Sequence, residues 1–228
     1  MKTKFYLVAT TLLWSGLAFA EDFKWSELRV FTMQNNLTTV PTALNNLTAP
    51  DGVDRLDTLY GIGLEADGRW KWLKLGTRFK GILMSKDAPN SPTPPTAYLT
   101  VGQYSGAAIA RLPFIERDSV NFDLLFELGA ANTSIDVRTN GSGKSDIKCE
   151  ACVFGRIGAS INLGWPSFKF SFEGGQEFNN LTNLKATGDL AAANNISSID
   201  LSGPYFAVGF IIYGIPSWIK PGGITVGK

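Results

Sequence analysis

The stretch that most constrains this chain is INLGWPSFKFSFEGGQEF, residues 161–178. It reads as two strands around a tight turn at Trp165-Pro166-Ser167. In the second strand Phe168, Phe170 and Phe172 share one face, while Lys169, Ser171 and Glu173 share the other. Strict period-two alternation belongs to a sheet whose two faces meet different surroundings. If the phenylalanines point into a core and the charges into water, the protein is an ordinary soluble β-protein. If the phenylalanines meet lipid and the charges point inward, it is a membrane barrel.

The first twenty residues bear on the compartment. Lys2 and Lys4 precede an apolar run over residues 5–17, and Ala18-Phe19-Ala20 closes it with a small-x-small pattern. This is the three-part plan of a secretory signal peptide, with cleavage expected before Glu21. As an uncleaved anchor the run is short of the ~20 residues a spanning helix needs. Removing Lys2 and Lys4 with the leader takes the twenty-one basic residues to nineteen, against twenty acidic ones. A nucleic-acid partner would want a basic excess, so none is expected. Past Ala20 the most apolar segment, residues 205–215, is about half a helical span but suits a transmembrane strand of ~9–11 residues.

The two cysteines, Cys149 and Cys152, form CEAC. In an oxidising compartment a close pair most simply makes a local disulfide. A redox centre would want the motif at a helix start in a βαβ unit; here it is read as part of a loop, between GSGKSDIK and VFGRIGASINL. A metal site would need further ligands, and in a chain without histidine only Asp146 and Glu150 are at hand. No metal and no cofactor are expected.

The mature sequence divides into eight strand-like stretches: 23–34, 56–66, 72–85, 97–114, 120–137, the hairpin quoted above with its lead-in from Val153, and 198–216. The connections alternate in length. Long polar segments at 35–55, 86–96, 139–152 and 183–197 alternate with short turns at Asp67-Gly68-Arg69, at 115–119 and at Trp165-Pro166-Ser167. An up-and-down meander with its long loops at one end has this rhythm. The repeated NNLT at Asn35, Asn45 and Asn179 falls in loops or at strand ends and reads as turn-compatible polar sequence.

The faces can be taken strand by strand. Tyr60, Ile62 and Leu64 oppose Gly61, Gly63 and Glu65; Leu73, Leu75, Phe79 and Leu83 oppose Lys74, Gly76, Arg78 and Lys80. Phe122, Leu124, Phe126 and Leu128 oppose Asn121, Asp123 and Glu127, and Ile157 and Ile161 oppose Arg156, Ser160 and Asn162. Leu125 and Ile82 interrupt the polar side, and residues 97–114 show no clear parity. A soluble lipocalin-like barrel would alternate too, with its apolar side inward. Three features favour lipid outside. Glycine is common on the polar side, where a narrow lumen must fit small residues between large ones but a water-facing strand is weakened. Both signs of charge recur there, so Glu65, Asp123, Glu127, Glu173 and Glu177 can pair with Lys74, Arg78, Lys80, Arg156 and Lys169 as an interior ion network. Trp70, Trp72, Phe114, Trp165 and Phe168 flank the three short turns, where an aromatic belt would meet the membrane–water boundary. The expected lipid-facing set is Tyr60, Ile62, Leu64, Phe79, Phe122, Leu124, Phe126, Phe170, Phe172, Phe206 and Phe210.

With its leader, meander and belts, the chain resembles the small eight-stranded outer-membrane barrels of Gram-negative bacteria, the OmpA-, OmpX- and OmpW-like group. The resemblance covers residues 23–218 and rests on architecture. It implies an all-β protein: an eight-stranded transmembrane up-and-down antiparallel β-barrel over 21–218, after a cleaved signal peptide (1–20) and before a short tail (219–228). It also implies periplasmic termini and contact with outer-membrane lipid and lipopolysaccharide. Such proteins usually end on an aromatic residue; here Trp218 or Tyr213 would have to serve.

Barrel enzymes resembling this group use a histidine as base or stabiliser beside a serine or carboxylate. This chain has none, and Glu173 and Glu177, one inward position apart, fit the ion network better than an acid–base pair. No catalytic residue is expected. Eight strands give an interior just wide enough for side chains to fill. The expected role is therefore structural or surface-interacting, with a charge-plugged interior and a possible surface ligand at the loops 35–55, 86–96, 139–152 and 183–197. The alternative is a narrow porin-like channel for small solutes or hydrophobic compounds.

Overall fold

The computed structural model describes residues 24–38, 41–88, 96–140 and 143–214. The expected leader, Trp218, the tail and the middle of the 86–96 loop lie outside the described residues. In chain order the elements are β1 (Lys24–Asn36), α1 (Thr42–Thr48), β2 (Thr58–Trp70), β3 (Leu73–Asp87), β4 (Tyr98–Glu116), β5 (Val120–Thr139), β6 (Gly143–Trp165) and β7 (Phe168–Phe178). There follow β8 (Asn180–Thr182), β9 (Lys185–Gly188), α2 (Ala191–Asn194), β10 (Ser198–Asp200) and β11 (Gly203–Tyr213). Strands β1 to β7 pair as consecutive antiparallel neighbours, and β11 pairs with both β7 and β1. The result is a closed eight-stranded antiparallel barrel. β8 pairs with β10, and β9 adds to the end of β6.

At the short-turn end the strands reverse at Lys71-Trp72, residues 117–119 and Pro166-Ser167. The first of these corrects the turn expected at Asp67-Gly68-Arg69. Those three residues continue β2, with Asp67 opposite Gly76 and Arg69 opposite Lys74, and Lys71 takes the left-handed backbone instead, at φ 56°. An Asp-Gly pair is a turn signal only where the ladder ends; here it puts a carboxylate into the lumen.

The eight strands differ in height. β7 and β11 have 11 residues each, close to the ~9–11 that cross a bilayer, whereas β4, β5 and β6 have 19, 20 and 23. One wall thus rises past the other. On this tall wall the two faces exchange character without a break in the strand. Along the lower part of β5, Phe122, Leu124, Phe126 and Leu128 face out and Asp123 and Glu127 face in; higher up Asp136 and Arg138 face out while Ile135 and Val137 are buried inside. On β4 the buried Leu99 and Val101 lie above the buried Ser105 and Arg111. A strand inside-out in its lower half and ordinary in its upper half passes from hydrocarbon into water.

The upper inner face is covered by the connections of the short wall. Leu37, Leu44 of α1, Leu56, Leu181, Leu190, Ile199 and Leu201 pack against Leu99, Val101, Ile135, Val137, Ile147 and Cys149 in one apolar core. The described residues of the segments 35–55 and 183–197, read as loops, are therefore a folded cap containing α1, β9 and α2. The segment 139–152 is corrected further, since from Gly143 onward it belongs to β6.

Candidate functional site

The lumen below the cap is the most concentrated chemistry in the molecule. Because β-strand side chains alternate, every inward position of eight tilted strands converges on one narrow axis. Seven acidic residues (Glu27, Glu65, Asp67, Asp123, Glu127, Glu173 and Glu177) and seven basic ones (Arg29, Lys74, Arg78, Lys80, Arg111, Arg156 and Lys169) are buried there, so the charges balance.

Arg78 is the hub. Its Nη1 and Nη2 donate to the two oxygens of Glu173, both at 2.8 Å, in the forked geometry that suits a guanidinium to a carboxylate. Nη1 also reaches Glu127 at 2.9 Å, and Nε reaches Glu65 at 2.8 Å. Arg111 lies alongside, donating to Glu65 at 2.8 Å, Glu173 at 2.6 Å and Ser160 at 3.0 Å. One level up, Arg156 donates from Nε to Glu177 at 2.6 Å, and Lys80 sits 3.5 Å from Glu177 and 3.6 Å from Glu127. One level down, Lys74 pairs with Glu27 at 2.9 Å and Asp123 at 3.4 Å. Three rings complete the packing: Phe31 under Arg78 at 4.7 Å, Tyr205 under Arg156 at 4.5 Å and Phe154 under Lys80 at 3.9 Å. Such stacks stabilise a desolvated cation. The inward glycines make room for them, since a Cβ at Gly63 would run into the Phe31 ring and one at Gly129 would stand 2.8 Å from Phe154.

All ten residues expected in the interior are buried on the lumen side. Lys169 departs from its expected pairing, because its ammonium donates to neutral oxygens, Asn121 Oδ1 at 2.7 Å and the Arg117 carbonyl at 2.9 Å. Tyr213 joins this lower layer through its hydroxyl, which accepts from Asn121 Nδ2 at 3.1 Å. Sequence reasoning missed Glu27, Arg29, Asp67 and Arg111. Phe31 and Met33 share the inward parity of Glu27 and Arg29 and blur that strand's alternation, and Asp67 stood in a false turn.

Of the residues expected to face lipid, Tyr60, Ile62, Leu64, Phe79, Phe126, Phe170, Phe172, Phe206 and Phe210 are exposed outside the barrel, Ile62 at 68%; Phe122 and Leu124 are half-buried among their neighbours on the same face. Trp70, Trp72, Phe114 and Trp165 are exposed around the short-turn end, and Phe168 stacks on Phe210 at 5.8 Å. At the upper limit of the apolar zone stand Tyr60, Tyr104, Phe178 and Phe206, all exposed. They are a second level of aromatics; Tyr60 and Phe206 were expected to face lipid, but the level itself was not expected because no short turn marks it.

Cys149 and Cys152 are joined by a disulfide in the strand β6. In an unbroken strand residues three apart face opposite ways. Here Cys149 pairs with Thr133 and Cys152 with Ala131, so Glu150 and Ala151 together oppose the single residue Asn132. That is a β-bulge. Ala151 adopts φ 62°, and its N–H donates to Asn132 Oδ1 at 3.0 Å. The extra residue turns both cysteines inward against the cap. The bridge closes a very short loop, and replacing both cysteines with alanine is expected to cost about 2 kcal/mol of unfolding free energy. Hydrogen exchange should rise around Ile147 and Leu181 and stay unchanged near Arg78; equal exchange with and without the bridge would contradict any contribution of the bridge to the cap's stability.

The NNLT repeat has a part in the same cap. Asn35 donates to the Leu201 carbonyl at 3.2 Å, Asn45 accepts from Leu56 N–H at 2.9 Å, and Asn179 donates to Glu177 at 3.0 Å, while Leu37 and Leu181 enter the apolar core. Asn35 and Asn45 each pin a connection, while Asn179 holds the lumen carboxylate of Glu177. Among the described residues no group of three or more metal-ligating side chains converges.

An apolar exterior, two levels of aromatics and a balanced ionic lumen inside a closed eight-stranded meander define a small membrane-spanning β-barrel of the outer-membrane type. No family model and no curated protein sequence matches the chain. Among solved structures, Neisserial surface protein A is similar at a TM-score of 0.45 and 10% identity, over 85% of this chain and 98% of that one. The outer membrane protease OmpT from Escherichia coli is similar at 0.45 and 9%, over 84% and 96%.

Proposed function

We propose that the protein is an integral barrel of a bacterial outer membrane, exported by its leader, with both termini periplasmic and the tall wall and cap facing outward. In this reading it is neither an enzyme nor an open pore. Its lumen is closed by ions, and it holds a rigid surface structure against the membrane. The observation that carries the reading is the filling of the lumen in two layers, ion pairs centred on Arg78 below and the apolar core under α1 above. A buried ion lattice neither binds nor passes a solute without being broken. Glu173 and Glu177, the pair with the spacing for acid–base work, are each held by arginines. The exposed parts of the 35–55, 86–96, 139–152 and 183–197 segments would then meet any surface ligand, on a scaffold that keeps them in place.

The test is conductance in a planar bilayer. A silent membrane is expected after insertion of folded protein, and discrete current steps would overturn the closed lumen. A second reading, a narrow passage for small solutes, is favoured by buried polar atoms without a hydrogen-bond partner, including both Asp67 oxygens, Arg29 Nε and Arg156 Nη1. Groups of this kind take up water. Liposome swelling with glycerol or small sugars above the empty-vesicle rate would decide for that passage.

A further inference from the structure

The lipid-facing wall is uneven. Over most of the circumference large apolar side chains cover it, but on β3, β4 and β5 the outward positions Gly81, Gly106, Ala108 and Ala130 carry almost nothing. The strand register sets them together, with Gly106 opposite Phe79 and Ala130, and Ala108 opposite Thr77 and Leu128. They form the floor of a groove whose banks are Leu64 and Phe79 on one side and Leu128 on the other, with Tyr104 at its upper end. A Cβ at Gly81 would meet no atom within 4 Å, so the floor there is open.

The upper end of the groove is where the wall changes polarity. Tyr104 and Asn132 border the apolar groove and also a second depression directly above it, of mixed lining, where Ser134, Lys148 and Glu150 add polar side chains to Ile82 and Gly102. Glu150 lies 4.0 Å from Lys185, and Lys148 pairs with Asp146. The side chain of Lys148 remains 54% exposed, and its ammonium keeps donors beyond the one used on Asp146.

We propose that these two joined depressions are one binding site for an amphiphile: an acyl chain in the groove over Gly81, Gly106 and Ala130, with its phosphorylated headgroup at Tyr104, Asn132 and Lys148. The proposal rests on the membrane reading above. In the orientation given there, the lipid is the lipid A part of lipopolysaccharide. Inside hydrocarbon there is no water to expel, so association depends on close packing, and small residues permit that closeness. A chain in the groove touches the floor and two banks, whereas a chain on the convex remainder of the barrel touches one surface. The Tyr104 hydroxyl and Asn132 amide sit at the level of ester and phosphate oxygens, and a lysine just above attracts the phosphate.

Native mass spectrometry of the detergent-solubilised full chain, titrated with purified lipid A and separately with phosphatidylglycerol, tests this. One lipid A per barrel should be retained, in preference to phosphatidylglycerol. Filling the floor with Gly81→Leu and Ala108→Leu should weaken retention about tenfold, equivalent to about 1.4 kcal/mol. Lys148→Glu should weaken it about fivefold. Equal retention by wild type and the floor-filled variant would overturn the groove, and equal retention of both lipids would overturn lipid A as its occupant. Wild-type dimers that the floor-filled variant splits into monomers would make the groove a barrel–barrel contact and end the proposal. A heat-modifiable band on electrophoresis, run for each variant, shows that the barrel has folded. If wild type itself lacks that band, the membrane reading fails, and the groove's failure is not at issue.

Discussion

Arg78→Ala is expected to lower the unfolding free energy of the barrel by about 3–5 kcal/mol, the usual cost of breaking a buried ion pair by removing one partner. The variant leaves Glu65, Glu127 and Glu173 facing one another with their shared counter-ion gone. Arg111 still holds Glu65 and Glu173, which keeps the loss finite, but Glu127 is left with only Lys80 at 3.6 Å and Arg156 at 3.9 Å. Lysine at this position should restore only part of the loss, because one ammonium cannot reproduce the fork to Glu173. Insertion should persist, since the outer face is unchanged. Urea unfolding in lipid vesicles checks the prediction; a change under about 1 kcal/mol, the scale of a surface pair, would mean that the lumen is hydrated enough to screen its charges.

Phe170→Arg should act on the opposite face and in a different way. Phe170 lies outside β7 between Leu163 and Phe210 on its neighbours, above Phe168 and below the polar Gln176. A cation at mid-depth on the lipid side costs ~2–4 kcal/mol; Phe170 stands one outward position above the boundary residue Phe168, so a cost at the low end, about 2 kcal/mol, is expected. Folding into vesicles should be impaired or slowed, with less heat-modifiable product. Ser134→Arg provides the contrast. Ser134 also faces outward, half-buried, but it lies above Asn132 on the water side; the substitution forfeits its hydroxyl bond to Asp146 at 2.9 Å while offering that carboxylate a guanidinium, and should cost no more than about 1 kcal/mol. If both variants fold equally well, the boundary between lipid and water has been misplaced.

The barrel was legible in the sequence wherever the two faces differed strongly in size and charge, as in Phe168 to Glu173 and Val120 to Leu128. It was not legible in β4, and the structure gives the physical reason. The outward positions Gly102, Gly106, Ala108 and Ala110 are nearly as small as the inward Ser105 and Ala107, so no parity stood out and Arg111 was passed over. The weak signal and the groove have one cause. Above the apolar zone the expected rule reversed. Ile135 and Val137 are apolar and inward, so counting apolar residues as outward fails there. The disulfide was legible as a pair, but its place in a strand depended on a bulge that cysteine spacing alone does not reveal. Because the cap's apolar core brings together segments more than 160 residues apart, such as Leu37 and Leu201, no local pattern announces it.

The exchange of faces along the tall wall gives the molecule a waterline. A barrel raised by one pair of residues would lift Tyr104 and Leu83 clear of the hydrocarbon; a barrel lowered by two would drown Asp136 and Lys148. Either displacement is penalised at once on several strands, so the floating depth is fixed by the protein itself. A bilayer of the wrong thickness would have to bend to meet it.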